Sequence, residues 1–219
     1  MDNLVKICGL STPETLDAAL GSGADMVGFT RIARSPRYVS LDLAHKLSLQ
    51  ARGRAQRVVL LLDPSDEDVA QAVEAIDPDL IQLHGSESPE RVAGIRSMVK
   101  RPVMKALGIA EASDLKALTL YADADRILLD AKPPRTADAL PGGNGIPFDW
   151  RLLDGLDPGI SFMLSGGLNP DNVAEAIRLT KAQAVDVSSG VESGPGLKDS
   201  ARIEAFIRAA RTAFAAQQR

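Results

Sequence analysis

The chain has one cysteine in 219 residues. That excludes an internal disulfide framework and points to a reducing compartment, the cytoplasm. The cysteine and two histidines lie far apart and offer no metal-ligand spacing, so neither a metal nor a cofactor is expected. Aromatic residues make up only 4%, and the net charge of −4 is a mixture of both signs. With no basic stripe and little to stack on bases, nucleic acid is not an expected partner. No apolar run reaches about 18 residues, and no basic-then-apolar leader opens the chain, so neither a membrane span nor export is expected. What remains is a protein that acts on a small molecule.

Apolar runs of strand length alternate with helical patterns from end to end. The expected strands are residues 4–8, 26–29, 57–62, 80–83, 102–106, 127–130, 161–164 and 184–187. Several are apolar throughout, as parallel strands covered on both faces must be. Between them, Thr12-Pro13, Ser88-Pro89 and Asn169-Pro170 each set a capping side chain before a proline suited to a first helical turn. Ser65 with Asp68 resembles a capping box. Val69, Ala72, Val73 and Ile76 form one helical stripe, and Ile203, Phe206, Ile207 and Ala210 another. Eight strands, each followed by a helix, in just over 200 residues predict a single (β/α)8 TIM barrel spanning residues 1–219. A doubly wound sheet fits less well, because no Gly-x-Gly-x-x-Gly follows the first strand.

Such barrels place their chemistry at the C-terminal strand ends, and there this sequence turns polar. The strand alternation pairs Lys6 with Cys8, Gln82 with His84, and Leu128 with Asp130 on shared faces. If those faces point inward, the strand tips converge on one pocket. The same parity predicts a buried Lys6–Asp186 pair, since the eighth strand must lie beside the first. Gln82 and His84 are expected to line the substrate pocket. Glycines after the last two strands, in Ser165-Gly166-Gly167-Leu168-Asn169-Pro170 and at Ser189-Gly190, let backbone N–H groups approach a phosphate. The stretch 133–147, containing Pro141-Gly142-Gly143-Asn144-Gly145, is as long as structureless loops usually get and suits a lid or binding loop.

An ordered set of segments carries a family resemblance. It comprises Lys6-Ile7-Cys8-Gly9, Gly28-Phe29 with Ser35-Pro36-Arg37, Gln82-Leu83-His84-Gly85, Leu129-Asp130, Gly142-Gly143-x-Gly145-x-x-Phe148-Asp149-Trp150, Ser165-Gly166-Gly167-Leu168 and Asp186-Val187-Ser188-Ser189-Gly190-Val191-Glu192. Together, from first strand to last helix, the chain resembles the phosphoribosylanthranilate isomerases. The resemblance implies a cofactor-free Amadori rearrangement of a phosphosugar in tryptophan biosynthesis. It implies Asp130 as general acid, Cys8 as general base and Arg37 as partner of the anthranilate carboxylate. It also implies a phosphate site at Gly143, Gly145, Gly166, Gly167, Ser189 and Gly190. Two stretches depart from the pattern: the basic run Thr30-Arg31-Ile32-Ala33-Arg34, and Asn144-Gly145-Ile146-Pro147 in place of a commoner Thr-Gly-Lys-Thr.

The assigned roles need a protonated acid and an unprotonated base near neutral pH. An ordinary aspartic acid titrates near about 3.9 and an ordinary thiol near about 8.5. The acid should therefore be pushed up by desolvation and the thiol pulled down by a nearby cation. Two other readings fit less well. An isomerase of histidine synthesis uses two similar halves, and Leu62-Asp63-Pro64 has no glycine pair to mirror Ser165-Gly166-Gly167. A non-catalytic phosphosugar binder would leave Cys8 and Asp130 without a role.

Overall fold

The apolar runs become strands because each is short, bounded by polar turns and buried on both faces. A computed structural model describes residues 3–132, 147–157 and 159–217. In it, β1 (Leu4–Cys8), β2 (Met26–Thr30), β3 (Gln56–Leu61), β4 (Leu80–Leu83), β5 (Val103–Ile109), β6 (Arg126–Ala131), β7 (Met163–Leu164) and β8 (Ala184–Val187) close into a barrel in chain order. Every pairing in the ring is parallel, and β8 returns to β1 with Asp186 opposite Lys6. The α/β barrel read from the sequence is the fold.

Helices α1 (Pro13–Gly21), α2 (Leu41–Ala51), α3 (Asp66–Ile76), α4 (Pro89–Val99), α5 (Val173–Thr180) and α6 (Ser200–Gln217) cover the outside. Thr12, Ser65 and Ser88 cap α1, α3 and α4 through their hydroxyls, and Ser65 with Asp68 completes the capping box. The stripe on α6 is buried at Ile203, Phe206, Ile207 and Ala210.

Two expectations change. Asn169 does not cap a helix. Its side chain accepts from the N–H groups of Asp171 and Asn172, making a local turn, and α5 begins at Val173. After β5 and β6 the chain forms 3₁₀ turns, Ala112–Tyr121 and Trp150–Leu153, where helices were expected. Asp114 accepts from the N–H groups of Ala110 and Glu111 and Asp149 from that of Arg151, so both segments begin with side-chain caps and still wind as 3₁₀.

Inside the ring, composition changes with height. Met26, Val58, Leu80, Met104, Leu128, Met163 and Ala184 pack the N-terminal half as one dry cluster. Two residues further along the same inward faces come Lys6, Gln82, Asp130 and Asp186, all buried. The dry floor fixes the strands, and their period of two delivers the polar groups to the other end.

Candidate active site

At the mouth of β1 the expected ion pair is present. Lys6 Nζ donates to Asp186 Oδ1 at 2.8 Å, with Lys6 wholly enclosed. Asp186 Oδ2 accepts from the Ser165 hydroxyl at 3.2 Å, tying the end of β7 into the same group. Burial alone would depress the Lys6 ammonium, but Asp186, and after it Cys8, outweigh it and hold the group above its usual value.

Cys8 sits one step above Lys6, packed with Ile32, Leu60 and Leu62. Gly28 of β2 makes room for it, because a Cβ there would come within 2.9 Å of the sulfur. The expected downward shift of the thiol is not found. Burial pushes Cys8 up, and the opposing pull of Lys6 is insufficient, since Asp186 adds its own upward push; Lys198 pulls down as well. The Lys6 charge is largely spent on Asp186.

The opposite wall is built from β4 and β6. Asp130 is 4% exposed; its Oδ1 accepts the Ala131 N–H at 2.9 Å, and its Oδ2 lies 3.1 Å from His84 Nε2. His84 Nδ1 in turn lies 3.0 Å from the Gln82 carboxamide nitrogen. Gln82 is wholly enclosed, so its contact is with His84, at the back of the pocket. Asp130 and His84 line a cavity of about 270 Å³ shared with Arg34, Leu62, Asp63 and Gly108. Leu62, which lines this cavity, also packs against the apolar cluster that contains Cys8.

Arg37 lies in the loop after β2, and Glu192 clamps its guanidinium: Nε to Oε1 at 2.7 Å and an Nη to Oε2 at 2.9 Å. Gly9, with φ +75°, permits this approach, since a Cβ there would meet the Arg37 side chain at 2.8 Å. Glu192 also accepts from Lys198 Nζ at 2.8 Å. Glu192 is buried, which pushes its carboxyl up, yet Arg37 and Lys198 together hold it below the ordinary range. Lys198 is pushed down by burial against the pull of Glu192.

Glu192 and Lys198 are functional-site neighbours that the sequence reading did not single out. They belong to a small hairpin, β9 (Glu192–Gly194) with β10 (Leu197–Lys198). Gly194-Pro195-Gly196 between them is the turn signal that could have revealed it. A Cβ on Gly196 would strike the Pro36 carbonyl at 2.4 Å, so the hairpin sits against the Arg37 loop.

The two glycine loops also meet. Gly166 and Gly167 take positive φ, and a Cβ on Gly190 would collide with the Leu168 carbonyl at 1.8 Å. Gly167, Asn169, Ser189, Gly190 and Arg202 line a cavity of about 580 Å³ beside them. On its inner side, Gly166 abuts Asp130, where a Cβ would lie 3.0 Å from Oδ1. Gly143 and Gly145, expected at the phosphate, lie outside the described residues. Among the described residues, no three His, Cys, Asp or Glu side chains are grouped to hold a metal ion, and no helix is long and apolar enough to cross a membrane.

A family model described as N-(5'phosphoribosyl)anthranilate (PRA) isomerase matches residues 5–209. The chain is 57% identical over 215 residues to the N-(5'-phosphoribosyl)anthranilate isomerase of Azorhizobium caulinodans, covering 98% of this chain and 94% of the relative. It is similar to the crystal structure of phosphoribosyl anthranilate isomerase from Thermotoga maritima, with a TM-score of 0.86 and 36% identity over 97% of this chain and 100% of that one. A phosphoribosyl anthranilate isomerase in complex with reduced 1-(o-carboxyphenylamino)-1-deoxyribulose 5-phosphate matches at a TM-score of 0.81 and 33% identity, over 97% and 100% of the two chains.

Proposed function

The chain belongs to the N-(5'-phosphoribosyl)anthranilate isomerase family and catalyses that isomerisation in tryptophan biosynthesis; we propose that Asp130 and Cys8 are its acid and base. The observation that carries the assignment is their placement. Both are inward-facing residues at the C-terminal ends of their strands, and Leu62 connects the thiol's packing to the carboxyl's cavity.

In this reading Asp130 gives its proton to the furanose ring oxygen. The C1–O bond breaks, and the lone pair of the anthranilate nitrogen forms the C1=N⁺ bond. Cys8 thiolate then removes the proton from C2, the C–H electrons form C1=C2, and the C=N π electrons return to nitrogen. The enolamine gives the ketone by losing its C2 hydroxyl proton and gaining one at C1. The cationic iminium supplies the positive charge that Lys6, paired with Asp186, does not give Cys8. A thiol raised by burial is a poor base, and a positive charge formed beside it favours the thiolate while acidifying the C2 proton.

The anion contacts complete the reading. The phosphate is assigned to Gly166, Gly167, Ser189 and Gly190, where two glycine loops meet beside a cavity and the missing side chains allow an anion to approach the backbone. Gly143 and Gly145 are assigned to the same anion by family resemblance. Arg37 meets the anthranilate carboxylate, with Glu192 fixing the plane of its guanidinium; Arg34 adds a second cation at the mouth of the acid's cavity. The substrate is read as a phosphosugar, and the single cysteine favours a reducing compartment such as the cytoplasm. The test is to supply phosphoribosylanthranilate to purified protein and follow loss of its fluorescence. Turnover that survives intact in Asp130→Ala would reject the acid assignment.

A further inference from the structure

We propose that Lys198 is a specificity-determining residue: by sharing Glu192 with Arg37, it leaves this buried cluster with a positive charge that selects a ring carrying a carboxylate. The inference rests on the reading of Arg37 as the partner of the anthranilate carboxylate, and it concerns why Glu192 does not cancel that arginine. Glu192 accepts from four donors. Arg37 Nε and Lys198 Nζ meet Oε1 at 2.7 and 2.8 Å; an Arg37 Nη and the Gly196 N–H meet Oε2 at 2.9 and 3.0 Å. Both oxygens are thereby filled. Arg37 and Glu192 alone would sum to zero, as the neighbouring pair of Lys6 and Asp186 does. With Lys198 the three groups sum to one positive charge.

Lys198 exerts this effect without touching the substrate. Its Nζ has three acceptors: Glu192 Oε1 at 2.8 Å, the Ser188 carbonyl at 2.8 Å and the Ser188 hydroxyl at 3.2 Å. Three acceptors match the three N–H bonds of an ammonium and leave none for a ligand. Burial works against that charge, and the Glu192 carboxylate works for it. The side chain is 1% exposed, and Arg37 and Glu192 are buried with it. Water and salt therefore screen the cluster weakly, and its charge is felt at the pocket. Cys8 already feels it, since Lys198 pulls on the thiol as Lys6 does. An unbalanced buried charge is costly, and an anionic ligand beside Arg37 balances it.

The hairpin holds the cluster in register. Glu192 stands on β9 and Lys198 on β10, Gly196 between them seats the turn against the Pro36 carbonyl, and Arg202 of α6 donates to the Glu192 carbonyl at 3.1 Å. A Lys198→Met variant keeps the side-chain length and removes the charge, while Glu192 retains both Arg37 bonds and the Gly196 N–H. Adding Glu192→Gln removes the carboxylate charge with little change of shape. The sum then returns to one positive charge, that of Arg37.

The experiment is calorimetric titration of the enzyme with a pair of ligands: reduced 1-(o-carboxyphenylamino)-1-deoxyribulose 5-phosphate, and the same compound without the ring carboxylate. The ratio of their Kd values is the carboxylate preference. A merely structural role for Lys198 would weaken both ligands together and leave that ratio unmoved. In Lys198→Met the preference should fall about tenfold, through weaker binding of the carboxylated ligand alone. In Lys198→Met with Glu192→Gln it should return to near the wild-type value. A folded Lys198→Met enzyme with the wild-type preference would overturn the proposal, as would a double variant whose preference stays about tenfold low. The double variant has no buried carboxylate to strand, and it decides the matter by itself if Lys198→Met does not fold. Wild type that binds both ligands alike would defeat the Arg37 reading itself, and the proposal with it.

Discussion

On the β1–β8 side of the barrel mouth, the thiol rests on a buried ion pair, Lys6 with Asp186. On the β4–β6 side, the carboxyl is held by an amide and an imidazole, groups that need carry no charge. Both walls deliver a titratable group to the same end of the barrel, but by different physics. The ionic wall is strong and self-cancelling: Asp186 neutralises the cation that could have activated Cys8, and burial then raises the thiol. The hydrogen-bonded wall has no lysine or arginine bonded to its carboxyl, which meets only the His84 ring and the Ala131 N–H.

The largest effects should come from the two groups proposed to react, Asp130 and Cys8. Asp130→Asn and Cys8→Ala are each expected to lower kcat by about a hundredfold to ten-thousandfold, measured by fluorescence under saturating substrate. Equal losses would fit one acid and one base of comparable weight; a silent Cys8→Ala would leave the ionic wall without a catalytic role.

Next in size is the contrast in stability. Lys6→Met strands a buried carboxylate and should cost about 3–5 kcal/mol in denaturant unfolding, much of it recovered by adding Asp186→Leu. Gln82→Met on the neutral wall should cost only about 1 kcal/mol, the worth of an ordinary hydrogen bond. Similar costs for both would erase the distinction between the walls.

The smallest signal is a pH midpoint. Because the chain has a single cysteine, alkylation by iodoacetamide reports Cys8 alone. Its rate should rise with pH to a midpoint above the ordinary thiol range, since burial favours the neutral form. The sign for stability follows. The folded state keeps the proton to higher pH than the unfolded chain does, so this contribution is present below about pH 8.5 and is lost as pH rises beyond it. A midpoint below the ordinary range would mean that Lys6 prevails over burial and Asp186.

The ring of strands and the inward polar set were legible in the sequence because both depend on one periodicity. Once β1 is a strand, Lys6 and Cys8 share a face; once β8 closes on it, Lys6 meets Asp186. The same step of two places Gln82, His84 and Asp130. What was not legible lies in loops and in competing charges. The Arg37–Glu192 clamp joins residues 155 positions apart, and no period links a loop arginine to a hairpin. Lys105 and Glu87 form another buried pair at 2.7 Å on the outer side of β5, where parity alone would place apolar side chains. The direction of the Cys8 shift was missed for a related reason: a neighbouring lysine is visible in sequence, but the extent to which its partner cancels it depends on distances.

The most direct measurement is a crystal structure of this enzyme with the reduced product analogue bound. The Cys8 sulfur should lie within about 3.5 Å of C2, and the Asp130 carboxyl within about 3.2 Å of the oxygen that had closed the sugar ring, approaching from the opposite wall. A ligand seated with either group more than about 5 Å from its atom would contradict the assignment of acid and base to these two walls.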